Sequence, residues 1–130
     1  MKINVGIDLG TTYSAVATFS KETGGVRILK NSMGEDCTPS VICMEGGRTL
    51  IGEDAKQEQK SGNVNTVAFY KSMMGDPQWT AFIDGEEFSA EALSGIFLKQ
   101  LVRDVSATNH VEIDGAVITA PPYFNDRQRE

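Results

Sequence analysis

The sequence predicts an α/β fold, and three features of the chain carry that prediction. Short segments of alternating apolar and polar residues lie at 3–9, 13–20 and 26–29, separated by turn-forming residues. Residues 90–106 place apolar side chains three and four positions apart, as in an amphipathic helix. Residues 116–120 form a nearly continuous apolar run, typical of a strand covered on both faces. We therefore expect a mixed sheet that starts with three antiparallel strands and is flanked by helices.

Turn-forming and capping residues predict the secondary structure of the middle of the chain. Asp84-Gly85 is a strong two-residue hairpin signal, and Ser89 is placed to cap the long helix that follows it. Gly75 ends a second, shorter helical pattern. The remaining predicted elements are strands at 41–44, 49–52, 81–83 and 86–88, helices at 53–60 and 66–74, and a last helix that begins at residue 126.

Composition narrows the class of protein. The chain has 130 residues, of which 40% are apolar and 23% charged, so it can bury a real core. Its net charge of −6 argues against a nucleic-acid binder, which needs Lys and Arg to neutralise phosphates. It contains neither a long apolar run nor a leader pattern, and its two cysteines, Cys37 and Cys43, fit no disulfide framework. We expect a cytoplasmic protein with no membrane contact.

The motif at residues 6–14 combines a carboxylate, a glycine and two hydroxyls between two predicted strands. Gly10, Thr11 and Thr12 would let backbone N–H groups approach phosphate oxygens, as in an anion-binding nest. Asp8, just before them, could hold Mg²⁺ directly or through water. The alternative is a plain hairpin with turn-forming residues. The chain contains neither a P-loop nor a dinucleotide-binding glycine pattern, so a phosphate site would rest on this turn.

Two other residues could carry chemistry. Lys71 is a lone cation among apolar residues, and it could reach a phosphate or order a water nucleophile. Taken alone, a lysine in such a pattern is more often a solvated helix lysine. His110 is the single histidine, and we expect it at the surface. With one histidine, no Ser/His/Asp or Cys/His nucleophilic set can be assembled.

Several motifs, taken together and in order, resemble one family. The motif Ile-Asp-Leu-Gly-Thr-Thr-Tyr-Ser resembles the first phosphate motif of the actin-like ATPases, and specifically of the 70-kDa heat-shock (DnaK-type) molecular chaperones. Four further blocks follow the family's order along nearly the whole chain. The five blocks are residues 7–14, 31–41, 50–56, 65–75 and 116–129.

The resemblance implies a ribonuclease H/actin-like ATPase fold. Residues 1–130 would be the N-terminal portion of lobe I of a nucleotide-binding domain, with a trimmed outer subdomain at about 38–90. The rest of the ATPase domain and the peptide-binding domain would be absent from this truncated chain. Departures from the family are Asp36-Cys37, Pro122 and a shortened stretch at 75–88.

The resemblance also implies roles at matched positions. Asp8 would help place Mg²⁺ through its waters, and Gly10, Thr11, Thr12 and Tyr13 would contact the phosphates of ATP or ADP. Thr11 would lie nearest the γ-phosphate. These residues would form the nucleotide-binding side of the site.

Catalysis and coupling would fall to other positions. Lys71, with Thr11, would be catalytic, because it would position the attacking water. Pro121 and Arg129 would couple the nucleotide state to the peptide-binding domain.

The function implied is that of an ATP-dependent chaperone of the stress response, in which hydrolysis switches peptide binding. Its partners would be unfolded peptide clients and co-chaperones, bound through the full-length protein. The enzyme would be an ATP hydrolase only as part of that protein, since phosphoryl transfer needs groups on both sides of the nucleotide. We expect the isolated chain to be inactive, and self-association through uncovered apolar surface is a further hypothesis.

Two alternatives stay open at this point. The first is another actin-like ATPase, either filament-forming or of the sugar-kinase type, although the block from Tyr123 to Asp126 with Arg129 is more typical of the chaperones. The second is a non-catalytic interaction module on the same fold. The presence of Asp8, Thr11 and Lys71 argues against it.

Overall fold

The computed structural model of the protein describes residues 2–20, 25–68 and 70–119. The elements in chain order are β1 Lys2–Leu9, β2 Tyr13–Ser20, β3 Gly25–Leu29, β4 Cys37–Pro39, β5 Ile42–Glu45, β6 Arg48–Ile51, α1 Gly52–Lys60, β7 Thr66–Val67, a 3₁₀ turn Tyr70–Met73, β8 Thr80–Ile83, β9 Glu86–Ser89, α2 Ala90–Asn109 and β10 Glu112–Thr119. The chain is therefore mixed α/β, as the sequence predicts.

The largest sheet is mixed in direction. Its strand order is β10-β1-β2-β3, and β4 also pairs with β2. The β1–β2 and β2–β3 pairs are antiparallel, which confirms the predicted three-strand start. β10 runs parallel to β1, an arrangement that the long crossover between these two strands permits.

Two strands of this sheet differ from the prediction. β4 was expected as part of a loop that precedes a strand, yet Tyr13 pairs with Pro39 and Ala15 with Cys37. β10 starts at Glu112, well before the predicted run, and Val117 is 68% exposed, so the expectation of a strand covered on both faces is wrong for the described structure. Within the described residues, β10 is an edge strand that pairs with β1, and its residues 116–118 are exposed.

The smaller sheets follow the predicted hairpins. β5 pairs with β6 and with β7, and α1 begins directly after β6. The β8–β9 turn has positive φ at both central residues, 52° at Asp84 and 82° at Gly85, as the Asp-Gly signal requires.

The helix expected at 66–74 is not formed. Thr66 and Val67 instead pair with Cys43 and Ile42 of β5, and only the 3₁₀ turn Tyr70–Met73 is helical. The β-branched side chains of Thr66 and Val67 favour the extended backbone, and the paired strand removes the first turn that a longer helix would need.

Helix α2 covers the buried face of the first sheet. Its N-cap is Ser89, whose Oγ accepts a hydrogen bond from the Ala92 amide at 3.1 Å, as expected. The helix runs to Asn109, past the predicted end, and stops where His110 takes a left-handed conformation with φ 55°. The main core cluster consists of Val5, Ile7, Leu9, Val16, Leu29, Ile42, Tyr70, Ile83, Leu93, Phe97, Leu101 and Val105.

Among the residues that the structure describes, none of the helices combines the length and the apolar character that crossing a bilayer requires.

Candidate nucleotide-binding site

The turn at residues 10–12 joins β1 to β2 and is too tight for any side chain at its first position. Leu9 pairs with Ser14 across the hairpin, which leaves four residues between them. A Cβ on Gly10 would lie 2.1 Å from the Tyr13 carbonyl oxygen, far inside van der Waals contact. The sequence therefore needs glycine here because of close backbone approach within the turn, a reason separate from the predicted approach to phosphate.

A closed ring of hydrogen bonds holds the two backbone polar groups of Gly10. The Gly10 amide donates to Ser14 Oγ at 3.3 Å, and Ser40 Oγ donates to the Gly10 carbonyl oxygen at 2.8 Å. Ser14 Oγ and Ser40 Oγ lie 2.8 Å apart. Because Ser40 has one hydroxyl proton and gives it to a carbonyl, Ser14 must be the donor to Ser40. Every polar atom of the ring is thus satisfied.

The ring is buried and is braced from the neighbouring strand. Ser14 and Ser40 are 2% and 1% exposed. The Ser40 amide also donates to the Thr12 carbonyl oxygen at 2.9 Å, continuing the pairing of β4 with β2. Sequence reasoning gave these serines no role, although each lies inside a motif that it singled out. The missed signal is a small hydroxyl residue in each of two motifs that the fold brings together.

Asp8 lies at the carboxyl end of β1, on the face opposite the core. Its neighbours Ile7 and Leu9 are buried, whereas the Asp8 side chain is exposed. Only Leu9 separates it from Gly10, the first residue of the turn, so its carboxylate and the turn share one edge of the sheet. Among the described residues, no group of three His, Cys, Asp or Glu side chains could enclose a metal ion. This donor set fits Mg²⁺ held mainly by water and phosphate, with Asp8 as a single protein carboxylate.

The Tyr13 side chain, beside the turn, contacts the ammonium group of Lys56. Its ring is 48% exposed, and Lys56 Nζ lies 3.3 Å from Tyr13 Oη and 5.4 Å from the ring centroid. The sequence-based expectations assigned Lys56 no site role, since nothing in the chain places α1 against the start of β2. A cation–π contact of this kind at an exposed site stabilises by about 0.5–1 kcal/mol.

Lys71 is buried, which contradicts the alternative of a solvated helix lysine. It is 2% exposed, in the 3₁₀ turn Tyr70–Met73. The neighbouring Tyr70 is fully buried and belongs to the same apolar cluster as Ile7 and Leu9. The segment that carries Lys71 packs against α2, where the Tyr70 ring lies beside Phe97. Lys71 is therefore a charged group brought into the interior of the protein.

The hydroxyl of Tyr70 is buried without a hydrogen bond. This burial raises the pKa of Tyr70. The aromatic ring packs against Phe97 at a centroid distance of 6.3 Å. Tyr70 is held by apolar packing alone, unlike the serines of the turn.

An open cleft of about 620 Å³ lies next to the turn, with Tyr13 in its lining. Its walls include Glu35, Asp36 and Glu53, against one cation, Lys30, which is itself paired with Asp36 at 2.6 Å. The excess of carboxylates makes this cleft unfavourable for a phosphate group. The cleft is therefore a poorer candidate for a phosphate site than the turn.

The structure thus brings Asp8 and residues 10–13 together at one edge of the first sheet, and Tyr70, next to Lys71, belongs to the same core cluster as that sheet's first strand. Pro121 and Arg129 lie outside the described residues, as do the block at 123–126 and the expected helix at 126.

Comparison with known proteins identifies the family. A sequence model described as Hsp70 protein matches residues 4–81 and 76–130. The chain belongs to the Hsp70 family. The "Chaperone protein DnaK" of Thermotoga neapolitana is 40% identical over 127 residues, and that of Halobacterium salinarum is 36% identical over 126 residues. Each alignment covers 97% of this chain.

Membership of the Hsp70 family confirms the expected fold class, an actin-like ATPase fold of the mixed α/β type. It also disfavours the filament-forming and sugar-kinase alternatives. The Hsp70 family binds nucleotide, generally with Mg²⁺. The chain spans about a fifth of the length of the curated relatives it matches, with 20% and 21% of those two proteins covered.

Proposed function

We propose that the chain is the N-terminal portion of lobe I of the nucleotide-binding domain of an ATP-dependent molecular chaperone. The observation that carries the proposal is the glycine turn with both Gly10 backbone groups fixed and an exposed Asp8 beside it. It occurs in a chain matched over 97% of its length by relatives named chaperones. The outer subdomain would span about residues 38–90.

The turn would bind the phosphates of ATP or ADP. Gly10, Thr11, Thr12 and Tyr13 would surround the phosphate oxygens: Gly10 would allow close approach, and the other three would supply backbone and hydroxyl donors, Thr11 lying nearest the γ-phosphate. Asp8 would orient the water shell of the metal from the exposed edge of β1. Mg²⁺, when bound with the nucleotide, would neutralise charge on the phosphates.

Lys71 would position the water that attacks the γ-phosphate, with Thr11 as its catalytic partner. Its burial supports this role, because an ammonium ion in a water-poor setting acts more strongly on a nearby anion or water than one in bulk solvent. Pro121 and Arg129 would transmit the nucleotide state to a peptide-binding domain.

In the whole protein, hydrolysis would switch the binding of unfolded peptide clients, with co-chaperones regulating the cycle. We place that protein in the cytoplasm, without nucleic-acid or membrane partners. The isolated chain would hydrolyse ATP negligibly, because positioning from both sides of the nucleotide is needed for phosphoryl transfer.

Apolar surface supports self-association of the isolated chain. Phe19, Val26 and Val117 are 60%, 70% and 68% exposed, and the strand register places them on the sheet face opposite the core. A sizing column should give an apparent mass above 14.1 kDa that falls on dilution. A clean monomer at high concentration would contradict self-association.

A chimera tests the catalytic part of the proposal. The chain would replace the matching 127 residues of the Thermotoga neapolitana protein, and steady-state ATP hydrolysis would be measured. We expect turnover within about tenfold of the parent, falling at least 100-fold in the Lys71→Ala variant, as for loss of one preorganised group. Lys99→Ala, on the exposed face of α2, is the matched control. Turnover that survives Lys71→Ala would contradict the role of Lys71.

A further inference from the structure

Ser40 contacts the turn twice, and each contact holds a backbone carbonyl oxygen. Its hydroxyl donates to the Gly10 oxygen at 2.8 Å, and its amide donates to the Thr12 oxygen at 2.9 Å. The preceding Pro39 has no N–H, so the Ser40 amide is the first backbone donor that the chain offers after it. Ser40 is 1% exposed, so both carbonyls point into the protein.

Because peptide groups are planar, these two contacts also fix the direction of the amide groups that follow Gly10 and Thr12. Throughout the part of the chain that the structure describes, the peptide bonds are trans. In a trans peptide, the carbonyl of one residue and the N–H of the next point in opposite directions. Holding the Gly10 and Thr12 carbonyls toward Ser40 therefore turns the N–H groups of Thr11 and Tyr13 to the opposite side of the turn.

The ring makes this orientation cooperative. Ser14 gives its proton to Ser40 and accepts the Gly10 amide, so removing the Ser40 hydroxyl leaves both the Gly10 oxygen and the Ser14 proton without their partners. The loss of one hydroxyl would then loosen the peptide groups on both sides of Gly10.

We propose that Ser40 is a positioning residue of the turn: it acts through Gly10 and Thr12 to present the Thr11 and Tyr13 amides to a phosphate anion, without touching that anion. The role rests on the proposed nucleotide-binding function. The ligand class is a phosphate group carried by a nucleotide, and Ser14 is the second member of the positioning pair.

The test uses the 130-residue chain, with amide NMR spectra recorded during titration with Mg²⁺-ATP. The variants are Ser40→Ala, Ser14→Ala and the double substitution. Ser94→Ala is the matched control, because Ser94 is a buried serine whose hydroxyl bonds to Ala90 within α2. Urea unfolding of each variant confirms that more than about nine-tenths of it is folded under the titration conditions.

We expect the ligand concentration for half-saturation to rise at least threefold in Ser40→Ala and Ser14→Ala. The amide resonances of Thr11 and Tyr13 should move even without ligand, and hydrogen exchange of the Gly10 amide should accelerate about tenfold. The double variant should match either single variant, because members of one ring are not additive. Ser94→Ala should leave all three measurements unchanged.

The two hypotheses fail differently. Saturable wild-type shifts that remain unchanged in both folded single variants would overturn the role of Ser40 and leave the phosphate site intact. Additive effects in the double variant would also overturn the ring. A wild-type chain without saturable shifts at residues 10–13 would overturn the phosphate site itself, and this role of Ser40 with it.

Discussion

The turn at residues 10–12 and the 3₁₀ turn Tyr70–Met73 both carry residues of the candidate site, and they are stabilised in different ways. At the first turn, the Gly10 backbone groups and the Ser14 and Ser40 hydroxyls are hydrogen-bonded to one another. The second buries Tyr70, with a hydroxyl that has no partner, beside the charged Lys71. Hydrogen bonds hold the buried hydroxyls of the first region, whereas apolar packing holds the Tyr70 ring of the second.

The difference shows what each region can be used for. A fully paired ring fixes backbone direction, which is what a ligand-facing turn needs. A segment held by packing fixes the depth of a side chain instead, and the core cluster that contains Tyr70 and Leu9 sets how far inside Lys71 lies. Substitutions should therefore act differently on the two regions.

The largest effect is expected from adding a methyl group to the turn. Gly10→Ala places a Cβ 2.1 Å from the Tyr13 carbonyl oxygen, so the backbone must move, and we expect a loss of about 3 kcal/mol in the free energy of unfolding. Urea denaturation measures it. Gly95→Ala, in α2 with nothing near its Cβ, is the control and should stabilise by about 0.5–1 kcal/mol. Equal midpoints for the two variants would refute the close-approach argument.

Removing a hydroxyl should have opposite signs in the two regions. Ser40→Ala leaves two buried polar groups unpaired and should cost about 2 kcal/mol. Tyr70→Phe removes a buried hydroxyl that has no partner and should be neutral or stabilise by about 1 kcal/mol. Calorimetry of both variants gives the comparison. A Tyr70→Phe variant destabilised as much as Ser40→Ala would mean that the tyrosine hydroxyl is paired in solution.

Alkaline pH should lower the stability of the protein through Tyr70. The folded-state pKa of Tyr70 is raised by burial, whereas the unfolded chain releases the proton at its ordinary value of about 10. The unfolded state then binds fewer protons, so stability is kept below pH 10 and lost as pH rises above it, by up to about 1.4 kcal/mol per pH unit. Tyr70→Phe should lack this component. Parallel stability curves for the two proteins from pH 9 to pH 12 would contradict it.

The smallest effect is expected at the exposed cation. Lys56→Met removes the contact with the Tyr13 ring and should cost about 0.5 kcal/mol, measured by urea unfolding. Lys56 takes no part in the hydrogen-bond ring of Gly10, Ser14 and Ser40, so hydrogen exchange of the Gly10 amide should not change. Lys99→Met is the control on α2. A loss of more than about 1.5 kcal/mol would show that Lys56 braces the turn as well.

The sequence predicted the turn because its information is local. A strand, a glycine and hydroxyl residues within nine positions determine the hairpin, and the exposed Asp8 follows from strand alternation. The partner Ser40 could not be predicted, since it depends on β4 pairing with β2 across 26 residues of chain. Cross-strand partners of this kind have no local signature.

The Lys71 segment was predicted less well for a physical reason. Apolar residues near 66–74 fit a helix period, but pairing of Thr66 and Val67 with β5 overrides that local preference. The burial of Lys71 also depends on a core assembled from distant strands and α2. The length of β10 was missed similarly, because its first half pairs with β1 despite weak strand character.

The central claim, that the turn binds the phosphates of a nucleotide, is tested most directly by amide NMR of the wild-type chain. Titration with Mg²⁺-ATP should give saturable shifts at Thr11, Thr12 and Tyr13, with half-saturation in the millimolar range. Adenosine with Mg²⁺ should leave these residues unmoved, because it carries no phosphate. Shifts that are absent, that adenosine reproduces, or that fall in the cleft around Glu35 and Glu53 instead would contradict the account.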